Sequence, residues 1–405
     1  MNGVSAMAKN RIIDPGLQYL QEIGFERIKG KYGLSDRLIK SFGENKAAQI
    51  WKKWESLSIG SKELYDYKNS DPMISKAFSE AFDGDIIRRA CNYIASQKES
   101  FGSTILEVGC ESGTMTGFLA KTFPDAKITA IDRSPAAVEI AKNKIKAWGI
   151  QNVEFCVASL EEVSEQFETV FCMRTIQENI CFDEAPFMGE PLLSQFYDYG
   201  ELSEEYTHQL INCLTEDGNL CIFERVGHDP LMCGWMMKLC LCKCAPDTST
   251  YQEIQCEEAS KRNTFQAFIC RNNTTENPQK MVDLWYKAFQ IDVTGKNTLT
   301  GWNALAYLSA NAGKLIRGVR ILNQDNEQVG RFALFYDKDD ESLIYYLNAA
   351  GGHELQLLGF SGEKEEVLDH LQKTIDQNVQ TGLHAEEIDP ENDFVEGIDC
   401  QPLDT

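Results

Sequence analysis

From residue 104 onward the apolar positions switch repeatedly between two periods. Short apolar runs at 104–108, 127–131, 153–157, 169–173 and 219–224 predict strands. Stretches at 112–122, 135–147 and 201–214 place apolar residues at helical spacing between them. Alternation of this kind predicts a parallel sheet with helices on both faces. Runs at 251–256 and 264–270 supply two more strand candidates, which would complete a sheet of seven.

The flanks read differently. Residues 1–100 carry helical stripes: Leu17, Leu20, Ile23 and Ile28, then Ile50, Trp51 and Trp54, then a helix opened by Asp71-Pro72, and another over 86–95. Tyr65, Tyr67, Phe78 and Phe82 in this region are read first as helix core and second as a cover for a pocket. After residue 273, helices near 281–289 and 302–312 precede four runs, at 315–322, 329–336, 343–349 and 354–360. These runs, separated by turn residues, predict an antiparallel meander. A helix over 365–375 would cover it, and the acidic stretch from Ala385 reads as a disordered tail. The domains expected are therefore 1–100, 101–273, 274–384 and the tail 385–405.

The densest chemical signal is Ile105-Leu106-Glu107-Val108-Gly109-Cys110-Glu111-Ser112-Gly113. A strand ends in a carboxylate, a glycine-bearing turn follows, and a helix begins. Glycines let backbone approach a ligand closely, and a helix start offers free N–H groups. Asp132 ends the next strand, where a carboxylate can accept hydrogen bonds from ribose hydroxyls. A dinucleotide dehydrogenase would show G-x-G-x-x-G, and Glu111 between Gly109 and Gly113 breaks that pattern.

With these pieces in order, and with Ala-Ile-Asp-Arg-Ser-Pro, Asn-Val-Glu-Phe-Cys-Val-Ala-Ser-Leu, Phe-Glu-Thr-Val-Phe-Cys-Met and Leu-Thr-Glu-Asp-Gly-Asn-Leu behind them, the central region resembles the class I S-adenosylmethionine-dependent methyltransferases. The resemblance implies a seven-stranded Rossmann-like methyltransferase core; with the flanks as read above, the expected fold is α/β, that core with an N-terminal helical cap and a C-terminal α+β domain. The resemblance also implies S-adenosylmethionine as cofactor and S-adenosylhomocysteine as product. Glu107 would orient the methionine amino group, and the loop of Gly109, Cys110, Glu111 and Gly113 would lie along the methionine and ribose. Asp132 would hold the ribose hydroxyls, and Arg133, Ser159 and Leu160 would meet the adenine. Met173 and Arg174 would sit at the end of the fourth strand, where the methyl is presented. Arg174, with Gln177 and Glu178 after that strand, are the candidates to contact substrate, and the last two read equally as solvated loop residues. Two departures stand out: Glu111 replaces the usual glycine, and Ser159 replaces a frequent aspartate.

Methyl transfer from a sulfonium needs mainly in-line positioning, and a base only where the acceptor must lose a proton. His228, or Glu224 at the end of the fifth strand, is the candidate base. Four cysteines, Cys233, Cys240, Cys242 and Cys244, lack the paired spacing of zinc sites, so no metal is expected. A net charge of −23 without a basic run argues against nucleic acid as substrate. With no long apolar segment and 14 cysteines outside a secretory context, the chain reads as cytoplasmic with reduced thiols and no membrane partner. The expected substrate is a small molecule accepting the methyl on oxygen or nitrogen. A peptide substrate and a catalytically silent cofactor-binding module are the alternatives. The C-terminal sheet leaves one face in need of a partner, which the core, a second copy of the chain (a homodimer) or a ligand would supply, so this domain is expected to shape a substrate pocket or a subunit interface.

Overall fold

The computed structural model describes residues 14–28, 30–57, 62–180, 192–225, 230–258, 261–288, 298–300, 302–337, 343–349, 352–358 and 364–389. They fall into two compact units. The first lies within 1–181, 205–227 and 239–276, and the second within 182–204, 228–238 and 277–405.

The first unit is built on a seven-stranded sheet. Its strands are β1 (Thr104–Val108), β2 (Lys127–Asp132), β3 (Val153–Val157), β4 (Phe167–Met173), β5 (Leu214–Glu224), β6 (Cys244–Glu258) and β7 (Lys261–Asn272). Their order across the sheet is β3-β2-β1-β4-β5-β7-β6. The first five run parallel, and β7 pairs antiparallel with both β5 and β6. Sequence order reverses beside β1, and in such sheets ligands bind outside the strand ends at the reversal. The central strands are buried on both faces: Ile105, Leu106, Val170, Cys172, Leu220 and Ile222 are fully enclosed. One face packs against α1 (Pro15–Glu22), α6 (Gly84–Ser96) and α7 (Thr114–Thr122), through Tyr19, Ile87, Ile94, Phe118, Phe171 and Phe223. A further helix, α8 (Pro135–Ala147), packs on β2 and β3.

Ahead of this sheet lie α2 (Gly30–Phe42), α3 (Glu44–Glu55), α4 (Lys62–Lys68) and α5 (Pro72–Phe82). Helices α2, α3 and α5 share their own apolar cluster of Leu34, Leu38, Ile50, Ile74 and Phe78, with Trp54 against Phe78 at a ring separation of 4.0 Å. Asp71 caps α5, its carboxylate accepting the Met73 N–H at 2.8 Å. This capped, packed frame carries the short helix α4. The stripe expected to run from Leu17 to Ile28 ends at Glu22, and Gly24 turns the chain at φ 62°. Helix α2 had no expectation in the sequence; Gly30, Gly33 and Ser35 mask its apolar stripe.

Between β4 and β6 in chain order come α9 (Ile176–Asn179) and most of α11 (Glu204–Asn212) in the first unit, and α10 (Leu192–Leu202) and most of α12 (Pro230–Leu241) in the second. Within the second unit are α13 (Gln279–Ala288), β8 (Thr298–Thr300), α14 (Trp302–Asn311), β9 (Ala312–Leu322), β10 (Gln328–Asp337), β11 (Leu343–Ala349), β12 (Gly352–Leu358), α15 (Lys364–Gln380) and β13 (His384–Glu387). The expected four-strand meander β9 to β12 is present, widened to six strands in the order β13-β9-β10-β11-β12-β8. One face packs through Val319, Ile321, Phe332, Leu334 and Tyr345 onto Leu371 and Ile375 of α15. Helix α14 packs against β8, β9, β11 and β12. The tail expected to be disordered from Ala385 begins inside β13, where Glu386 and Glu387 pair with Arg320 and Arg317 on β9. No helix among the described residues is long and apolar enough to cross a membrane.

Candidate functional site

A cavity of about 580 Å³ opens at the carboxyl ends of β1, β2 and β4, entirely within the first unit. Its floor is the turn after β1. Gly109 (φ 75°) and Gly113 (φ 76°) both occupy the left-handed region, which glycine enters without cost. At Gly113 a side chain would also collide with α8, because an added Cβ would lie 2.8 Å from Ala141 Cβ. Gly113 therefore shapes the turn from behind and is not itself a wall of the cavity. Lys144 of α8 supports the same turn, donating to Ser112 Oγ at 3.1 Å and Thr114 Oγ1 at 3.2 Å. Burial pushes its ammonium down to about 8.

Ten of the residues expected at a ligand site wall this one cavity: Glu107, Gly109, Cys110, Glu111, Asp132, Arg133, Ser159, Leu160, Met173 and Arg174. Glu107 is 2% exposed, and its Oε2 has no hydrogen-bond partner. Burial pushes its carboxyl up to about 8, with the Thr116 hydroxyl opposing the rise and the Asp132 charge adding to it. Asp132 is more engaged. One of its oxygens accepts the Glu111 N–H at 2.9 Å, and the other the Ser134 N–H at 2.8 Å. Burial raises its carboxyl, and those two backbone bonds oppose the rise. Each oxygen keeps a further lone pair for a ligand hydroxyl. Ser159 donates its hydroxyl to Glu162 Oε2 at 2.9 Å, which leaves its oxygen lone pairs as acceptors. Arg133 is exposed, with a 3.3 Å bond to Asn179 Oδ1.

The substrate-side and catalytic candidates fare differently. Arg174, at φ 57°, walls the cavity but is occupied by an ion pair with Asp83 at 2.8 Å and another with Glu258 at 3.4 Å. Glu224 is 1% exposed and is not a cavity wall. Its Oε1 accepts the N–H groups of Thr175 at 2.6 Å and Ile176 at 3.2 Å, and the Thr175 hydroxyl at 3.1 Å. That places Glu224 as the anchor of the turn after β4. His228 lies outside the described residues, as do the side chains of Gln177 and Glu178 on α9. Cys233, Cys240 and Cys244 are buried, and among the described residues no cluster of His, Cys, Asp and Glu is arranged to hold a metal.

The helical cap supplies wall residues: Tyr65, weighed above as a pocket cover, and Asp66, Lys68 and Asn69 from α4 and its end, and Asp83 from the junction of α5 and α6, which sequence reasoning missed. Phe78, Tyr67 and Phe82 pack in the helical core, the reading preferred for them; Tyr65 alone of those four aromatics reaches the cavity. Lys68 forms ion pairs with Glu111 and, at 3.3 Å, with Asp83. Burial would lower its ammonium, but the two carboxylates prevail and hold it well above its ordinary value. Asp83 is the mirror case: burial would raise it, yet Lys68 and Arg174 keep it below the usual carboxylate range. The one sequence hint to Lys68 was indirect, since a carboxylate at Glu111 in so tight a turn calls for a cation nearby.

Residues 99–290 match the family described as methyltransferase domain. The chain is 37% identical over 75 residues to the malonyl-[acyl-carrier protein] O-methyltransferase of Acetivibrio thermocellus, covering 18% of this chain and 25% of that protein. It is 32% identical over 89 residues to the ubiquinone biosynthesis O-methyltransferase of Xanthomonas euvesicatoria, covering 21% of this chain and 36% of the other. The matched parts thus span about a quarter to a third of the length of these curated relatives. Among solved structures, magnesium protoporphyrin IX methyltransferase from Synechocystis aligns with a TM-score of 0.37 at 13% identity, covering 53% of this chain and 98% of that one. Over residues 99–290, just under half of the chain, the match to a methyltransferase domain agrees with the strand order and the turn after β1, and this region is similar to the class I S-adenosylmethionine-dependent methyltransferases.

The residues present fit that cofactor. The orphaned, buried Glu107 Oε2 suits a ligand ammonium, Asp132 has lone pairs for ribose hydroxyls, and the glycine turn gives backbone room.

Proposed function

We propose that the protein transfers a methyl group from S-adenosylmethionine to an oxygen or nitrogen of a small molecule. The observation that carries this reading is Glu107, a buried strand-end carboxylate with an unpartnered oxygen, in a cavity shared with Asp132 and the Gly109 turn. The bound cofactor would supply a sulfonium whose methyl is already electrophilic. The protein's own part is positional. Glu107 takes the ammonium, Asp132 the ribose hydroxyls, and the Ser159 oxygen accepts from the adenine edge while Leu160 covers the ring. Met173 and Arg174 line the cavity at the end of β4, beside the place for the acceptor.

No base is needed if the acceptor arrives as an anion, and that suits this site. Glu224 spends its Oε1 on backbone N–H groups, which leaves it a poor base. The O-methyltransferase relatives support oxygen over nitrogen, within the short segments matched. The catalytically silent alternative gains weight if Glu111 repels a ligand carboxylate. The ion pair of Glu111 with Lys68 weakens that repulsion.

The test uses methyl-labelled S-adenosylmethionine with separate panels of small carboxylic acids, phenols, amines and basic peptides. The reading predicts label in an O- or N-methylated small molecule, with stoichiometric S-adenosylhomocysteine. Label in peptides alone would move the substrate class. Tight cofactor binding without turnover on any panel would favour the silent module.

A further inference from the structure

Lys68 stands between two carboxylates, and these are not equivalent. Asp83 is 8% exposed at its side chain and is held on other sides by Arg174 at 2.8 Å and the Ser79 hydroxyl at 3.0 Å. Glu111 is 33% exposed, and Lys68 is its one ion-pair partner among the described residues. If a third carboxylate came to Lys68, Asp83 would have nowhere to go, while Glu111 could turn to water. Glu111 is also conformationally costly. Its φ of 45° lies in the left-handed region, which strains a non-glycine residue. A glycine would fit this turn without that cost, so the position carries both strain and a charge. Both Glu111 and Lys68 wall the cavity that holds the unpartnered Glu107. An amino-acid tail brings an ammonium and a carboxylate together. Glu107 offers a counter-charge for the first, and Lys68 for the second.

We propose that Glu111 is a built-in competitor for the cofactor's carboxylate: it occupies Lys68, and an amino-acid tail must displace it to bind. This rests on the S-adenosylmethionine reading above. Cofactor affinity is then set below what the cavity alone would give, and only ligands that carry the tail feel the competition. A nucleoside lacking the tail leaves the Lys68–Glu111 pair in place.

Calorimetry on the full chain tests this with two ligands, S-adenosylhomocysteine and 5′-methylthioadenosine, which lacks the amino-acid tail. Glu111→Gln keeps the side-chain shape and removes the charge. It should tighten S-adenosylhomocysteine by about threefold to tenfold, the scale of exchanging one partly exposed ion pair. The affinity for 5′-methylthioadenosine should stay within about twofold, since no charge exchange is involved. Lys68→Met should weaken S-adenosylhomocysteine, and in the double variant the gain from Glu111→Gln should vanish. Unchanged or weaker S-adenosylhomocysteine binding by Glu111→Gln overturns the proposal, and so does an equal shift for both ligands. If Lys68→Met fails to fold, the Glu111→Gln comparison decides alone. A wild-type protein that binds neither ligand is a different failure, that of the cofactor reading itself.

Discussion

Two carboxylates end neighbouring parts of the same sheet and are put to opposite uses. Glu107 is the last but one residue of β1 and Glu224 the last of β5, both almost wholly buried. Glu224 is satisfied by the chain's own backbone, accepting from Thr175 and Ile176. Glu107 keeps an oxygen with no partner, at the wall of the cavity. A buried polar atom without a partner is expensive, and an unsatisfied one at a cavity wall points to a ligand that would complete it. The same residue type near the end of a strand thus leaves an oxygen open toward a cavity in one case and braces a turn in the other. Only the hydrogen-bond partners separate them.

The largest effect expected from breaking this contrast is at Glu107. Glu107→Gln should weaken S-adenosylhomocysteine by about 10- to 100-fold, the loss of a charged hydrogen bond worth about 1.5–3 kcal/mol. It should also remove a pH dependence. The folded-state value near 8 lies above the ordinary 4.5, so the ligand-free fold favours the protonated form. That stabilisation is complete below about 4.5 and is lost as pH rises through 8. The melting temperature of the ligand-free protein should therefore fall across that window in the wild type and fall less in Glu107→Gln. Binding of an ammonium-bearing ligand should strengthen between pH 6 and 8, by up to about tenfold per unit for one released proton. A pH-independent affinity in the wild type would return Glu107 to a purely structural role.

Asp132 lies between the two cases, since it both faces the cavity and braces Glu111 and Ser134. Asp132→Ala should lower affinity and melting temperature together, each by the equivalent of about 1–3 kcal/mol for the groups left unpaired. A loss confined to stability would remove Asp132 from the ligand's partners.

Glu224 should give the smallest effect on binding. Glu224→Ala leaves two backbone N–H groups unsatisfied and should cost about 1–3 kcal/mol of stability, while S-adenosylhomocysteine affinity changes less than about threefold. Glu224→Gln retains an acceptor oxygen and should be close to neutral in both. A Glu224→Gln protein that folds and binds normally but transfers no methyl group would restore Glu224 as the base.

The contrast also marks how far the sequence could be read. The parallel core was legible because strand and helix periods alternate cleanly from residue 104, and the turn from Gly109 to Gly113 and Asp132 sit on adjacent strand ends. Glu224 looked like Glu107, because a strand-final glutamate carries no mark of what its oxygens will bind. Lys68 was hidden for another reason. It lies on a seven-residue helix nearly forty positions before Glu107, and its partners Asp83 and Glu111 meet it only through the fold. The short edge strands β8 and β13 escaped because three or four residues, Thr298–Thr300 and the exposed His384–Glu387, hold too little alternation to show.

The central claim is that the cavity between β1 and β2 is a site for S-adenosylmethionine. Isothermal calorimetry on the full-length protein with S-adenosylhomocysteine and with NAD tests it directly, because both carry an adenosine and only one carries an amino-acid tail. The account predicts binding of S-adenosylhomocysteine near one per chain and none for NAD; binding of NAD without S-adenosylhomocysteine would contradict it.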